Sequence, residues 1–215
     1  MNWDWKVVED FMPRFWDGVL VTLQALAMGT VIAFGLGLVW AIAQRSTLRW
    51  VRWPVMALTE FIRNTPLLVQ LFFLFYVVPE WGPSMSPLTT GIVGLGLHYS
   101  TYTAEVYRAG INAVPVGQWE AATALSMSKT RTWTAVILPQ AIRRVIPALG
   151  NYVVAMLKDS PMIAVIGALD MLGEAQAYSN ETFTQEAITV VGLAFIVIAY
   201  PASLLIRALE RRLVR

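Results

Sequence analysis

Four polar side chains, His98, Thr101, Tyr102 and Glu105, recur at spacings of three and four within an otherwise apolar stretch, so a helix would carry them as one stripe. An imidazole, two hydroxyls and a carboxylate can hydrogen-bond and balance charge, which is the chemistry of recognising a small polar or zwitterionic solute. Tyr99 stands beside the stripe, and Gln70 and Asn151 sit alone in two other apolar runs. A further cluster, Lys158-Asp159-Ser160-Pro161, places opposite charges next to a helix-breaking residue. Catalysis is a poorer use of these groups, because His98 with Ser100 or Glu105 on one helix is too common a combination to mark a nucleophile and base. One histidine and no cysteine also exclude a multi-histidine or thiolate metal site.

The elements that must carry these residues are membrane helices. The chain has 215 residues, 57% hydrophobic and only 14% charged, which is too oily for an ordinary soluble domain. Crossing the hydrocarbon core takes about 20 apolar residues. Five stretches qualify as spans, at about 18–43, 55–78, 88–108, 142–168 and 186–206, between an N-terminal segment, 1–17, and a tail, 207–215. At about 1.5 Å per residue, Gln70, His98 and Asn151 then fall roughly 13–15 Å from their nearer span ends, close to the midplane. Polar groups at that depth face protein or a water-filled path, since lipid excludes them. Two readings of Gln70, His98, Tyr99, Tyr102 and Asn151 follow: they line a solute cavity, or they bond neighbouring helices together. For Lys158, Asp159 and Ser160 the alternatives are an unwound, cavity-lining segment and a self-neutralising pair.

Orientation follows from where the bases lie. Arg45, Arg49 and Arg52 occupy one connection, Arg108, Lys129, Arg131, Arg143 and Arg144 surround another, and Arg207, Arg211, Arg212 and Arg215 mark the tail. The connections 79–87 and 169–185 hold no Lys or Arg but do hold Glu80, Asp170, Glu174 and Glu181. Retention of Lys and Arg on the cytoplasmic side therefore puts the N-terminus outside and the C-terminus inside. Trp3, Trp5 and Trp16 suit the outer interfacial belt, while 169–185 reads as a solvated connection. The N-terminus lacks a basic leader and small-residue cleavage site, so it reads as retained.

One inner connection, about 115–139, is too long to be left without structure. Good helix formers from Gln118 to Leu125 predict a short helix over 117–127, and Ser128 can cap a second one through "KTRTWTAVILP". Pro139 and Pro147 should kink or segment what comes next. Ala121, Ala122 and Ala124 would let another backbone approach the short helix, with Trp119 and Leu125 as apolar anchors. It has the make-up of a docking element.

These residues carry a resemblance. Glu120-Ala121-Ala122, three residues, Ser126, nine residues and "VILP" ending at Pro139 resemble the EAA loop of permease subunits of type I ATP-binding-cassette importers, where Gly stands in place of Ser126. Ser tolerates the positive φ of a turn less well than Gly. From about residue 15 onward, "EFIRNTPLLVQLFFLFY", "YTAEVYRAGINAVPVGQWEAA" and "ILPQAIRRVIPALGNYVVAMLKDSP" are similar to the polar amino acid uptake group, which takes histidine, glutamine, arginine or opines, and to its ectoine branch.

The resemblance implies an all-α integral membrane protein of the bacterial cytoplasmic membrane, with five transmembrane helices and a cytoplasmic coupling helix. It makes Gln118, Trp119, Glu120, Ala121, Ala122, Leu125 and Ser126 the contact with an ATPase subunit. Expected partners are that ATPase, a second permease subunit, identical or related, an extracytoplasmic solute-binding protein, a polar amino acid or zwitterionic solute, and the lipid bilayer. Nucleic acid is not among them. No Gly-x-x-x-x-Gly-Lys-Ser/Thr occurs, so no cofactor is expected on this chain, and ATP with Mg belongs to the partner. A pathway subunit of this kind is not itself an enzyme. The competing reading is a self-sufficient secondary transporter or channel, against which stands the lack of any internal repeat.

Overall fold

The computed structural model describes residues 3–213, and no strand occurs among them. Helix α1, Trp5–Gln44, begins where the Asp4 carboxylate accepts the Lys6 amide at 2.9 Å and continues for 40 residues through Pro13. At 1.5 Å per residue it is about 60 Å long. Residues 5–17 of the segment expected to be separate from the first span are thus the N-terminal part of the same helix. A ridge of small residues, Thr22, Ala25, Gly29, Ala33, Gly37 and Ala41, is buried along α1. Small side chains let helix backbones approach closely, which is how membrane helices gain dispersion contact in the absence of a hydrophobic driving force.

The partner along that ridge is α4, Pro87–Asn112, the most enclosed helix of the bundle. Polar groups staple the two: Thr103 Oγ1 donates to the Ala33 carbonyl at 2.7 Å and Trp40 Nε1 to Ser100 Oγ at 3.0 Å. Predicted at 88–108, this helix comes within a few residues of expectation.

The expected span 55–78 is not one straight helix. Helix α2, Arg49–Asn64, stops at Thr65-Pro66, and the chain turns by 105° into α3, Leu67–Phe72, followed by a π turn, Phe73–Val77, and a 3-10 turn, Val78–Glu80. The residue before a proline disfavours helical backbone, so Thr65 takes φ −93°, ψ 132° and breaks the run. An uncharged sequence gives no hint of the angle. Gln70 repairs the break, its Nε2 donating to the Ile62 carbonyl at 2.7 Å and the Thr65 carbonyl at 2.9 Å.

After α4 comes α5, Val116–Ala124, slightly shorter than the expected 117–127. Ser128 caps the next turn, α6, Lys129–Arg131, by accepting the Arg131 amide, and a π-helical stretch, Thr132–Ile137, leads into α7, Leu138–Asp159. Pro139 lies in the first turn of α7, where no N–H is needed, and Pro147 does not segment it. Past Asp159 the chain tightens to a 3-10 helix, Ser160–Ile166, so the predicted unwinding at Lys158-Asp159 is instead a change of helix type before Gly167 turns the chain at φ +83°.

The connection 169–185, expected to be solvated, contains α8, Met171–Thr182. It packs into a core of Phe11, Met171, Ala175, Tyr178, Ala187 and Val191, formed with the N-terminal parts of α1 and α9. Asp170 caps it through a 2.8 Å bond from Gly173 N, and Arg14 pairs with Glu181 at 2.8 Å. Helix α9, Glu186–Leu213, absorbs most of the tail predicted at 207–215; Arg215 lies outside the described residues.

Three helical stretches, Trp5–Gln44, Lys129–Ile166 and Glu186–Leu213, are long and apolar enough to cross a membrane, and the bent pair α2–α3 makes a fourth if it counts as one. Helix α4 falls outside that set because its middle carries His98, Ser100, Thr101 and Thr103, all buried against protein.

Candidate functional site

Midway along α4 the predicted polar residues meet α7. His98, Tyr99, Tyr102 and Tyr152 form a ring cluster: His98–Tyr102 centroids are 5.2 Å apart, Tyr102–Tyr152 5.5 Å and Tyr99–Tyr152 6.3 Å. The Tyr99 hydroxyl donates to Asp159 Oδ2 at 2.7 Å, tying α4 to the end of α7. Gln70 joins from α3, its Nε2 standing 3.0 Å from His98 Nδ1. Its Oε1 is buried with no partner among the described residues. Five expected residues, Gln70, His98, Tyr99, Tyr102 and Asp159, are therefore brought together.

Three others are not. Ser160 is fully buried and its hydroxyl bonds back to the Leu157 carbonyl at 2.9 Å. Lys158 and Asn151 are exposed, and Lys158 makes no ion pair with Asp159, whose partner is Tyr99. Of the original stripe, Thr101 turns its hydroxyl to its own helix at His98 O, 2.8 Å, and contributes nothing to the cluster.

Sequence reading missed Tyr152 and undervalued Arg63. Tyr152 lies seven residues before Asp159 and so shares its helix face, a signal that was available. Arg63, near the C-terminal end of α2, pairs with Glu60 and lies 3.5 Å from Glu105, which also holds Arg108 at 2.8 Å; the Tyr102 hydroxyl reaches the Arg63 carbonyl at 3.4 Å. Arg108 extends the chain to Gln44 at 2.8 Å, and Gln44 to Thr59 at 2.8 Å. The charges thus form one network linking α1, α2 and α4, next to the ring cluster.

The second site is α5. Trp119 stacks edge-on against Trp133, centroids 5.2 Å apart, and both rings pack on a small core of Val114, Ile137 and Ala141, while Ala122 is itself buried. Trp119 and Ala122 were expected to face outward; they face the bundle. The outward face is Val116, Gln118, Glu120, Ala121, Ala124 and Leu125, with Leu125 76% exposed. The helix ends in two bonds, Ser126 N to Thr123 O at 2.9 Å and Met127 N to Ala122 O at 3.0 Å, which is the Schellman pattern. That pattern needs a left-handed residue, and Ser126 sits at φ +51°. Ser therefore adopts the left-handed turn where Gly would be easier.

Fold and sites define a helical membrane protein with a polar interior cluster and an exposed helix at one end. The chain belongs to the family of binding-protein-dependent transport system inner membrane components, which it matches over residues 33–215. A probable amino-acid ABC transporter permease of Sinorhizobium fredii is 46% identical over 200 residues, covering 93% of this chain and 87% of that protein. The L-cystine transport system permease TcyB of Bacillus subtilis is 34% identical, covering 99% and 92%. The crystal structure of an amino acid ABC transporter with histidines superposes with a TM-score of 0.93 at 34% identity, over 99% of this chain and all of that one.

Proposed function

We propose that the chain is the permease subunit of an ATP-driven importer that moves a polar amino acid or related zwitterion, handed over by an extracytoplasmic binding protein. The observation that carries this is the 46% identity to an amino-acid permease across nearly the whole chain. The competing reading, a self-sufficient transporter or channel, has no such support. ATP and Mg are then bound and consumed by a partner ATPase, and a second permease subunit completes the pathway. The reading has five crossings, with the bent α2–α3 counted as one and α4 as the central one. The N-terminus is outside and α5 is in the cytoplasm.

In this reading the outward face of α5, Gln118, Glu120, Ala121 and Leu125, seats in the ATPase, while Trp119, Ala122 and the Ser126 turn brace it from behind. Ring faces at Tyr99, Tyr102 and Tyr152 attract an ammonium group, and the Asp159 carboxylate stands at their edge. The Arg63 guanidinium, already paired with Glu60 and close to Glu105, adds positive charge beside the rings that favours a solute carboxylate. Lys158 and Asn151 lie on the exposed side of α7, suited to facing the second subunit across the path.

The test is uptake into proteoliposomes holding the chain with its ATPase and binding protein. ATP-dependent uptake of a polar amino acid is expected, and Glu120→Lys is expected to abolish it while the complex still folds and hydrolyses ATP. Uptake without an ATPase, or normal uptake by Glu120→Lys, would count against the proposal.

A further inference from the structure

Two apolar cavities of about 290 and 730 Å³ adjoin one another on the outer wall of the bundle, where α1, α4 and α7 come together beside α5. They share Leu38, Ile42, Ile111 and Leu138 as lining, and in both the sole charged lining residue is Arg45, among the described residues. Arg45 is held in place: one N–H goes to Asn112 Oδ1 at 2.9 Å, and its guanidinium lies 5.8 Å from the Trp133 ring centre. Most of its five donors remain free. A crevice of methyl groups ending in one anchored guanidinium matches a molecule with a hydrocarbon chain and an anionic head.

Helix α2 supplies the second observation. Its outward stripe is Trp50, Trp53, Leu58 and Phe61, with Trp50 74% and Trp53 63% exposed, while Arg49 and Arg52 lie on other faces of the same turns. It meets α3 at 105°, so if α3 runs across the membrane, α2 lies nearly in its plane. Exposed tryptophans with arginines on such a helix are the signature of the headgroup layer.

We infer that Arg45 and the α1–α4–α7 crevice form a binding site for one anionic phospholipid, its phosphate on Arg45 and an acyl chain along Leu38, Ile42 and Leu138. The site rests on the orientation proposed above only for its leaflet, the cytoplasmic one. Arg45 is the charge in the lining itself, and Val51, which also lines the larger cavity, stands between Arg49 and Arg52 in sequence, so the local charge is positive, which favours an anionic over a zwitterionic head. The headgroup end abuts Trp133, which packs on Trp119 of α5, so an occupied site also braces the coupling helix from behind.

The test uses the assembled transporter, delipidated in detergent and titrated with phosphatidylglycerol, phosphatidylcholine or inorganic phosphate while bound lipid is counted by native mass spectrometry. Phosphatidylglycerol is expected to be retained over phosphatidylcholine, and phosphate alone not at all. Arg45→Ala should weaken retention about tenfold, the scale of a lost charge-assisted hydrogen bond. Ile42→Trp should do the same by filling the crevice, with its charge untouched and at a 64% exposed position that can accept bulk. Equal retention in both variants would overturn the site. So would complete cross-linking of Ile42→Cys to a second permease or to the ATPase, which would make the crevice a subunit interface. Neither readout depends on transport, so a failed uptake assay leaves this result standing.

Discussion

Gly37→Ala is the sharpest probe of how α4 is held in place. A Cβ at Gly37 would land on Thr103 Oγ1, and would lie 2.9 Å from the Ser100 carbonyl oxygen and 3.1 Å from Ala104 N. Thr103 cannot move aside cheaply, because its hydroxyl donates to the Ala33 carbonyl at 2.7 Å and to Ser100 O at 3.1 Å. Overpacking of this kind costs about 1–3 kcal/mol and the displaced buried hydrogen bond about 1 kcal/mol more, for a total of roughly 2–4 kcal/mol. By the usual size scaling the melting temperature should fall by about 5–15 °C, read from thermal unfolding of the detergent-solubilised protein. Two controls make the reasoning specific. Gly35→Ala, two residues away with nothing within 4 Å of its Cβ, should be neutral or stabilising by about 0.5–1 kcal/mol, as Ala is the better helix former. Thr103→Ala should cost about 1 kcal/mol alone yet recover at least about 1 kcal/mol in combination with Gly37→Ala, leaving only the backbone contacts. Strict additivity of the pair, or a neutral Gly37→Ala, would refute the account of the α1–α4 seam.

Two further outcomes follow from the two ends of the bundle. Ser126→Gly should relieve a left-handed Ser at φ +51°, worth about 1 kcal/mol, and slow exchange of the Ser126 and Met127 amides severalfold in hydrogen-exchange measurements; faster exchange would show that the Ser side chain holds the turn. Burial pushes the Asp170 carboxyl up to about 6, the main cause being loss of water around a fully enclosed side chain. A folded-state value above the unfolded one means that its contribution to stability is fully present below about pH 4 and is lost as pH rises through 6. Asp170→Asn keeps an oxygen for the Gly173 amide and cannot ionise. Its stability relative to the parent should therefore rise by roughly 3 kcal/mol between pH 4 and 7, and a constant difference in melting temperature across that range would contradict the burial argument.

Sequence alone determined the membrane class, the apolar runs and the family, because composition and motif spacing are properties of the chain before it folds. Glu120-Ala121-Ala122 and Ser126 keep the spacing of the motif they resemble, and α4, α7 and α9 start within four residues of the expected span starts, although α7 ends nine residues before 168 and α9 runs seven residues past 206. The 105° bend was not legible, since Thr65-Pro66 signals a break but no angle, and the run "LLVQLFFLFYVV" reads the same straight or turned. Nor was the inward turn of Trp119 and Ala122, because a nine-residue helix with alanines on several faces does not say which face its own bundle will claim. Asp159 looked paired with Lys158 because they are neighbours in sequence; only the packing of α4 on α7 brought Tyr99 within 2.7 Å and left Lys158 exposed. Adjacent residues on a helix point about 100° apart, so partners are chosen across the interface, and interfaces are decided by the whole bundle.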